Sequence, residues 1–325
     1  MSEGAPGYGV MVPFLNRFDQ LANCASHLLN QMDSGGRLIL IDDGSQDDPQ
    51  SDLKIQNLLG DARVVLLSHP ENLGVAAARN TGVEWCRQQG IEILIMIDSD
   101  CEPLSNFVAE HLRLHRDFPE VACFGGGIVG RGRGFWARLD NVTTWVHSVP
   151  EGPIHDVKDP YHLPTTNMSL KLSHLPTDGP AFDARLITGE DAVLVRELRT
   201  RGEQIKFSPQ PMIFHQDRET FGSVLWHHYQ YGRHQYFVQL GGHLSPRCFK
   251  VWYRLLFLPF FLLAAPGFAL LGSILNIKPW LIRSPSYLRF YPFILGLWIA
   301  KSFAVLESAI RPHHVIKRTS VGARS

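Results

Sequence analysis

The chain has little cysteine, and its number is odd. Its five cysteines, Cys24, Cys86, Cys101, Cys123 and Cys248, are scattered and contain no C-x-x-C spacing. That argues against a zinc cluster and a disulfide framework, and points to a reducing compartment. An excess of either charge is also missing, because 31 basic residues balance 31 acidic ones. A neutral chain lacks the basic surface that phosphate-backbone binding needs, so nucleic acid is not expected as a partner. Met1 to Gly9 is short, polar and glycine-rich, with no basic region leading into an apolar run. It does not read as a secretory signal, and the catalytic part is expected to face the cytoplasm. Histidine, at 15 residues, is the one excess.

What is present alternates. Apolar runs at Tyr8 to Pro13, Arg37 to Ile41, Arg63 to Leu67 and Ile91 to Ile97 read as strands. Phe18 to Gln31, Ser51 to Leu59 and Val75 to Gln89 lie between them and read as helices. Near-continuous apolar strands are buried on both faces, so the alternation predicts βαβ units on a mostly parallel sheet. From Pro103 to Asp183, Pro and Gly break the pattern, and strands and loops around a substrate pocket are expected. A helix at Glu190 to Arg201 and strands at Gln204 to Phe207 and Pro211 to His215 follow.

After about Arg247 the composition changes. Leu255 to Leu275 is an uncharged run of 21 residues, long enough to span a hydrocarbon core of about 30 Å. Pro259 and Pro266 leave a kinked or re-entrant segment open. The second run, Phe290 to Ala300, is bounded by Lys301 and Glu307 and fits an interfacial helix as well as a span. Basic residues flank both runs and set no orientation.

Two strand ends carry carboxylates. Ile93 to Ile97 delivers Asp98-Ser99-Asp100 to its C-terminal end, where open α/β sheets build their sites. Hard divalent cations take such oxygen ligands and bridge to substrate phosphates. Taken alone, the triplet also fits a solvated turn. Leu38 to Ile41 ends in Asp42-Asp43, and two acidic strand ends side by side repel unless a cation or donor lies between them.

In order, the chain carries VPFLNR at 12–17, LILIDDGSQD at 38–47, ENLGVAAARNTG at 71–82, IMIDSD at 95–100, TTNMSLKL at 165–172, TGEDAVLVRELRTRG at 188–202 and FSPQPMIFHQ at 207–216. This series, over roughly residues 8 to 235, resembles glycosyltransferase family 2. The resemblance implies the glycosyltransferase A fold, a Rossmann-like α/β domain, and sugar transfer with inversion at the anomeric carbon. It implies that Pro13, Asn16, Arg17, Asp42, Asp43, Asn72, Arg79, Asn80 and Asp98 line the nucleotide-sugar site. Asp98 would touch ribose or metal-bound water, and Asp100 would ligate Mn²⁺ or Mg²⁺. Asn72 and Asn80 also fit helix N-caps. His215, at a strand end, fits either a metal ligand or a satisfied surface histidine. Asn167 fits a substrate contact or a turn amide.

Gly189-Glu190-Asp191 opens a helix. The family's motif makes Asp191 the general base, with Glu190 its acidic neighbour; without the resemblance, both would simply complement the helix dipole. Processive membrane synthases of the family carry Gln-x-x-Arg-Trp, whereas this chain has Gln230-Tyr231-Gly232-Arg233-His234. That departure favours single transfers. The aromatic stretch Phe221 to Phe237 suits a membrane interface or a lid over the donor.

The expectation is therefore a catalytic domain at 1–242, with a donor half at 1–102 and an acceptor half at 103–242, followed by a membrane-associated region of hydrophobic helices at 243–325. The expected activity is metal-dependent inverting transfer from a nucleotide diphosphate sugar to a hydroxyl of a lipid-linked or cell-surface glycan at the inner face of the cell membrane. A catalytically silent, membrane-anchored sugar-nucleotide-binding or scaffold protein is the alternative. A nucleotidyltransferase would need a Gly-rich N-terminal loop with a basic residue, which Tyr8 to Arg17 does not supply.

Overall fold

The computed structural model describes residues 7–158, 162–177, 179–235 and 251–310. The chain opens as β1 (Tyr8–Phe14), α1 (Phe18–Leu29), β2 (Gly36–Asp42), α2 (Leu53–Leu59), β3 (Val64–Ser68), α3 (Val75–Gln88) and β4 (Ile93–Ile97). Every residue of β1 is buried. Its apolar side chains face helices on both sides of the sheet, which is why the run shows no polar alternation. Tight packing fixes α3 on this layer: a Cβ on Gly82 would collide with Met11 and Ile41.

The middle of the chain forms β5 (Cys101–Pro103), α4 (Phe107–Asp117), β6 (Val121–Gly130), α5 (Phe135–Thr144), β7 (His155–Asp156) and β8 (Asn167–Lys171). Then come α6 (Glu190–Thr200), β9 (Gln204–His215), α7 (Phe221–Gln235), α8 (Val251–Arg283) and α9 (Tyr291–Ile310). The sheet has nine strands in the order β3-β2-β1-β4-β8-β6-β9-β5, with β7 on β9. β3, β2, β1 and β4 pair in parallel, whereas β8 on β4, β6 on β8 and β5 on β9 are antiparallel.

The parallel half follows the reading from sequence. In 103–183, where strands and loops were expected, helices α4 and α5 also form. The buried positions of α4 are Phe107, Val108, His111, Leu114 and His115, a helical spacing in which two core positions are histidine. The polar letters hid the apolar face. The two strand segments expected at 204–207 and 211–215 are one strand, β9.

Two compact units divide the chain. Met1–Val129, His147–Ala184 and Leu194–Gln216 form one; Gly130–Val146, Arg185–Val193 and Asp217–Ser325 form the other. The first holds the sheet and a core that includes Met11, Ile39, Met96, Met168, Phe182 and Phe207. In the second, two helical stretches, Leu262–Arg283 and Pro285–Ser308, are long and apolar enough to cross a membrane. The expected boundary at 242–243 lies outside the described residues.

Candidate active site

The site begins where β1 and β2 end. Asn16 and Arg17 hold left-handed backbone, φ 56° and 57°. Such a conformation is costly for residues with a Cβ and persists only where surroundings fix it. Here the Asn16 amide donates to Ser45 Oγ at 2.7 Å, and Gln46 N donates to Asn16 Oδ1 at 3.0 Å. Ser45 in turn donates to Asp42 Oδ1 through its amide and its hydroxyl. Asp42 and Asn16 thus stitch the two strand exits together.

Asp43, almost fully buried, faces the start of α3. Its carboxylate accepts from Leu73 N at 3.0 Å, Gly74 N at 2.8 Å and His69 Nδ1 at 2.9 Å. The loop can come this close only with glycine at two places. A Cβ on Gly44, φ 77°, would strike the Glu71 backbone, and Gly74 has φ 90°. His69 was not singled out in the sequence; its Nε2 continues the chain to Thr81 Oγ1 at 2.8 Å. Pro13 is buried in β1 and Asn72 is exposed.

The Asp98 side chain leaves the end of β4 with both oxygens engaged. Arg79, buried in α3, donates through Nη2 to Oδ1 at 3.1 Å, and Thr166 Oγ1 donates to Oδ2 at 2.7 Å. The antiparallel register explains Thr166. Ile97 pairs with Asn167, so the residue before Asn167 lies opposite the residue after Ile97. Thr166 sits inside a motif quoted above, yet only this pairing reveals its role. The Arg79 guanidinium also lies 5.9 Å from the Phe182 ring centroid.

Asp100 belongs to a second register. β5 pairs with β9 so that Cys101 lies opposite His215. His215 Nε2 comes within 3.8 Å of Asp100 Oδ1, and Arg17 Nη1 within 3.6 Å of Asp100 Oδ2. Ligand atoms of Asp100, Cys101 and His215 all lie within 4.8 Å of one another. Burial, followed by the charges of Asp98 and Asp100, pushes the Cys101 thiol well up. A thiol held protonated is a poor ligand, and a hard cation prefers oxygen. The carboxylate of Asp100 and the imidazole of His215 fit Mn²⁺ or Mg²⁺. Asp98, whose oxygens accept from Arg79 and Thr166, lies beside this group and outside it.

Two expected contacts turn inward. Asn80 Nδ2 donates to Phe182 O at 2.8 Å and its Oδ1 accepts from Phe182 N at 2.8 Å. Asn167 has no exposed surface. Its Nδ2 donates to Gly127 O and Pro211 O, both at 2.9 Å, and its Oδ1 lies 2.9 Å from His111 Nε2. With both amide hydrogens committed, Oδ1 accepts and His111 Nε2 carries the proton. Asn167 is a strut joining β8, β6 and β9, which corrects the expectation of a substrate contact. A short polar side chain that satisfies buried carbonyls gives the same sequence signal as one that meets a ligand.

The second unit carries Glu190 and Asp191 in the first turn of α6. Glu190 is buried and Asp191 partly exposed. Gly189 before them has φ 86°, and Ala192 N donates to Asp191 Oδ1 at 2.7 Å. Burial first, then the charge of Asp191, pushes the Tyr231 phenol up. In the same helix Arg233 donates to Gln230 Oε1 at 3.1 Å and its Nε lies 3.3 Å from Glu307.

Comparison with known proteins identifies the family and the fold. The family model "Glycosyl transferase family 2" matches residues 9–173. The pre-mycofactocin glycosyltransferase of Mycobacterium tuberculosis is 27% identical over 64% of this chain. The match spans 42% of that relative's length, so this chain corresponds to less than half of it. Glycosyltransferase AglE of Haloferax volcanii is 24% identical over 80% of this chain and 84% of its own. The mannosyltransferase PcManGT from Pyrobaculum calidifontis, solved in complex with GDP-Man and Mn²⁺, shares the fold with a TM-score of 0.57 at 16% identity. That likeness covers 93% of this chain and 87% of PcManGT. The chain therefore belongs to glycosyl transferase family 2 and has a mixed α/β fold of the glycosyltransferase A type.

Proposed function

We propose that this protein is a metal-dependent, inverting glycosyltransferase that takes its sugar from a nucleotide diphosphate donor. The observation that carries the reading is one juxtaposition at the ends of β4 and β9. Asp98, held by Arg79 and Thr166, stands two residues before Asp100, on which His215 converges. Membership of the family supplies the donor class, and PcManGT, with GDP-Man and Mn²⁺, is a neighbour that binds a donor of that class.

In this reading Asp43 and the loop it anchors receive the nucleoside, with Asn16 and Asp42 holding that wall in place. Asp98 accepts from the ribose, and Arg79 keeps its carboxylate aimed. Asp100 and His215 would hold Mn²⁺ or Mg²⁺, which would supply positive charge beside the departing diphosphate. Arg17 adds a cation beside Asp100. Asp191 takes the proton from the acceptor hydroxyl as that oxygen bonds to the anomeric carbon and the bond to the diphosphate oxygen breaks in line. Configuration inverts in the one displacement, and no covalent enzyme intermediate forms.

The acceptor in this proposal is a lipid-linked or cell-surface glycan, met at the membrane by the second unit while the catalytic residues face the cytoplasm. The apolar helices α8 and α9 support that placement. Incubation with a panel of sugar nucleotides, with and without Mn²⁺ and with membrane-extracted acceptors, tests the reading through release of nucleoside diphosphate. Release that persists in excess chelator, or in Asp100→Ala, overturns the metal role. Full transfer by Asp191→Asn removes it as base.

A further inference from the structure

We infer that α8 and α9 do not cross the bilayer: with α5 and α7 they form a wedge seated in one leaflet, cytoplasmic face only. This deepens the membrane placement proposed above and rests on it. The residues concerned all lie in the second unit.

The turn between the two apolar helices is the first observation. In a pair of spans that turn emerges on the far side of the membrane. Here Pro285–Phe290 returns to α5: the Phe290 ring lies 5.1 Å from Phe135. Phe293, at the start of α9, lies 5.0 Å from Phe135 and 5.5 Å from Trp136. Trp136 in turn lies 5.1 Å from Phe221, the first residue of α7.

The far end of α9 is fixed to the same helix. Glu307 accepts from Tyr229 Oη at 2.9 Å and pairs with Arg233. Lys301 stands between, 4.5 Å from the Trp298 ring centroid and 5.8 Å from Tyr231. α7 therefore accompanies α9 from Phe221 to Arg233, about 18 Å at 1.5 Å per residue. α8 joins them through Asn276, which donates to Thr143 O at 3.1 Å, while His228 Nε2 lies 2.7 Å from Thr143 Oγ1.

A crossing α9 would take α5 and α7 into the hydrocarbon with it. Those helices bring Asp140, paired with Arg218 at 3.3 Å, and Arg233 with Glu307. Ionised groups are rare and costly in the bilayer core. Lying in the interface removes that cost.

The occupant of the outward face is lipid. Leu263 is 84% exposed and Ile282 80% exposed, and Leu256 and Leu271 on α8 and Phe303 on α9 are exposed as well. Arginines accompany these elements: Arg131 and Arg133 are exposed just before α5, and Arg289, in the turn, lies 4.9 Å from the Phe290 ring. Arginine beside aromatic rings matches the headgroup level of an anionic leaflet.

The test uses the full chain with Cys248→Ser, in liposomes containing phosphatidylglycerol. Ser286, in the turn, and Ser51, on the sheet unit, are both exposed and are changed singly to Ser286→Cys and Ser51→Cys. A membrane-impermeant maleimide labels both from the same side if the wedge occupies one leaflet. Labelling of the two from opposite sides means that the helices cross, and the inference fails. Labelling of Ser286→Cys from neither side, recovered in detergent, also overturns it. Failure of the chain to float with the liposomes defeats the membrane placement itself, while donor hydrolysis in solution would leave the transferase reading standing. Leu263→Glu should lower flotation about tenfold without altering that hydrolysis.

Discussion

Arg79 donates to Asp98 across a 3.1 Å ion pair that joins the first turns of α3 to the end of β4. The guanidinium is buried, and its partner is part-exposed toward the proposed donor site. A charge-assisted bond of this kind contributes about 1.5–3 kcal/mol. Arg79→Lys should therefore lower kcat/KM for the donor by about ten- to a hundredfold, since a lysine cannot reproduce the fork. Thr166→Val, which removes only the second donor to Asp98, should cost about tenfold. Steady-state kinetics on both variants, with the unfolding midpoint checked, separates aiming of Asp98 from loss of fold.

The Asp100 and His215 pair makes a graded prediction. Asp100→Ala should abolish transfer at any Mn²⁺ concentration. His215→Ala should leave a weaker site whose half-saturating Mn²⁺ rises about tenfold or more. Titration of activity, together with the Mn²⁺ electron-spin signal of bound against free ion, measures both. Unchanged Mn²⁺ affinity in His215→Ala removes that histidine from the site.

His111 and His115 predict acid sensitivity of the sheet unit. Burial holds His111 down to about 3 and His115 to about 4, both below the usual 6.5 of imidazole. The unfolded chain then binds protons that the folded chain refuses. Stability is full above pH 6.5 and falls as pH drops toward 4, by up to about 1.4 kcal/mol per pH unit for each histidine. Hydrogen exchange of β8 and β6 amides across pH 7 to 4.5 should show the decline, and His111→Gln should flatten it.

Asn167→Ala leaves two buried carbonyls and the His111 N–H without their partners. Each orphaned group costs about 1–3 kcal/mol, so this variant should lose much of the unit's stability. Its thermal midpoint should drop by several degrees. A variant of normal stability with a raised acceptor KM would restore the substrate contact that the buried strut displaces.

Asp217 gives the opposite pH dependence in the helical unit. It is buried beside Gly132, whose amide donates to it at 2.8 Å, and burial and the charge of Asp140 raise its carboxyl to about 7. The unfolded chain releases this proton near pH 4, the folded one near 7. Stability from this group is therefore present below pH 4 and is lost as pH rises toward 7. Asp217→Asn keeps an acceptor for Gly132 and should raise the melting temperature of this unit at pH 8, as thermal scans at pH 5 and 8 will show.

The sequence by itself determined the parallel half of the sheet and the identity of the acidic strand ends. Uninterrupted apolar letters in β1, β2 and β4 are a local signal, because a strand covered on both faces has no polar position to spare. Asp42, Asp43, Asp98 and Asp100 follow such runs directly, so their place at the strand ends was readable too. Only the tertiary structure decided which partners they meet. Thr166 reaches Asp98 through one antiparallel register and His215 reaches Asp100 through another, across 68 and 115 positions of chain, and pairing at that separation leaves no trace in either segment alone. The same holds for Asn167 and Asn80, whose amides serve buried backbone, and for α4, whose core face is written partly in histidine. The apolar C-terminal runs were legible as helices that seek lipid. What they pack against was decided by Phe135, Tyr229 and Glu307, residues whose contacts exist only once α5, α7 and α9 have packed together.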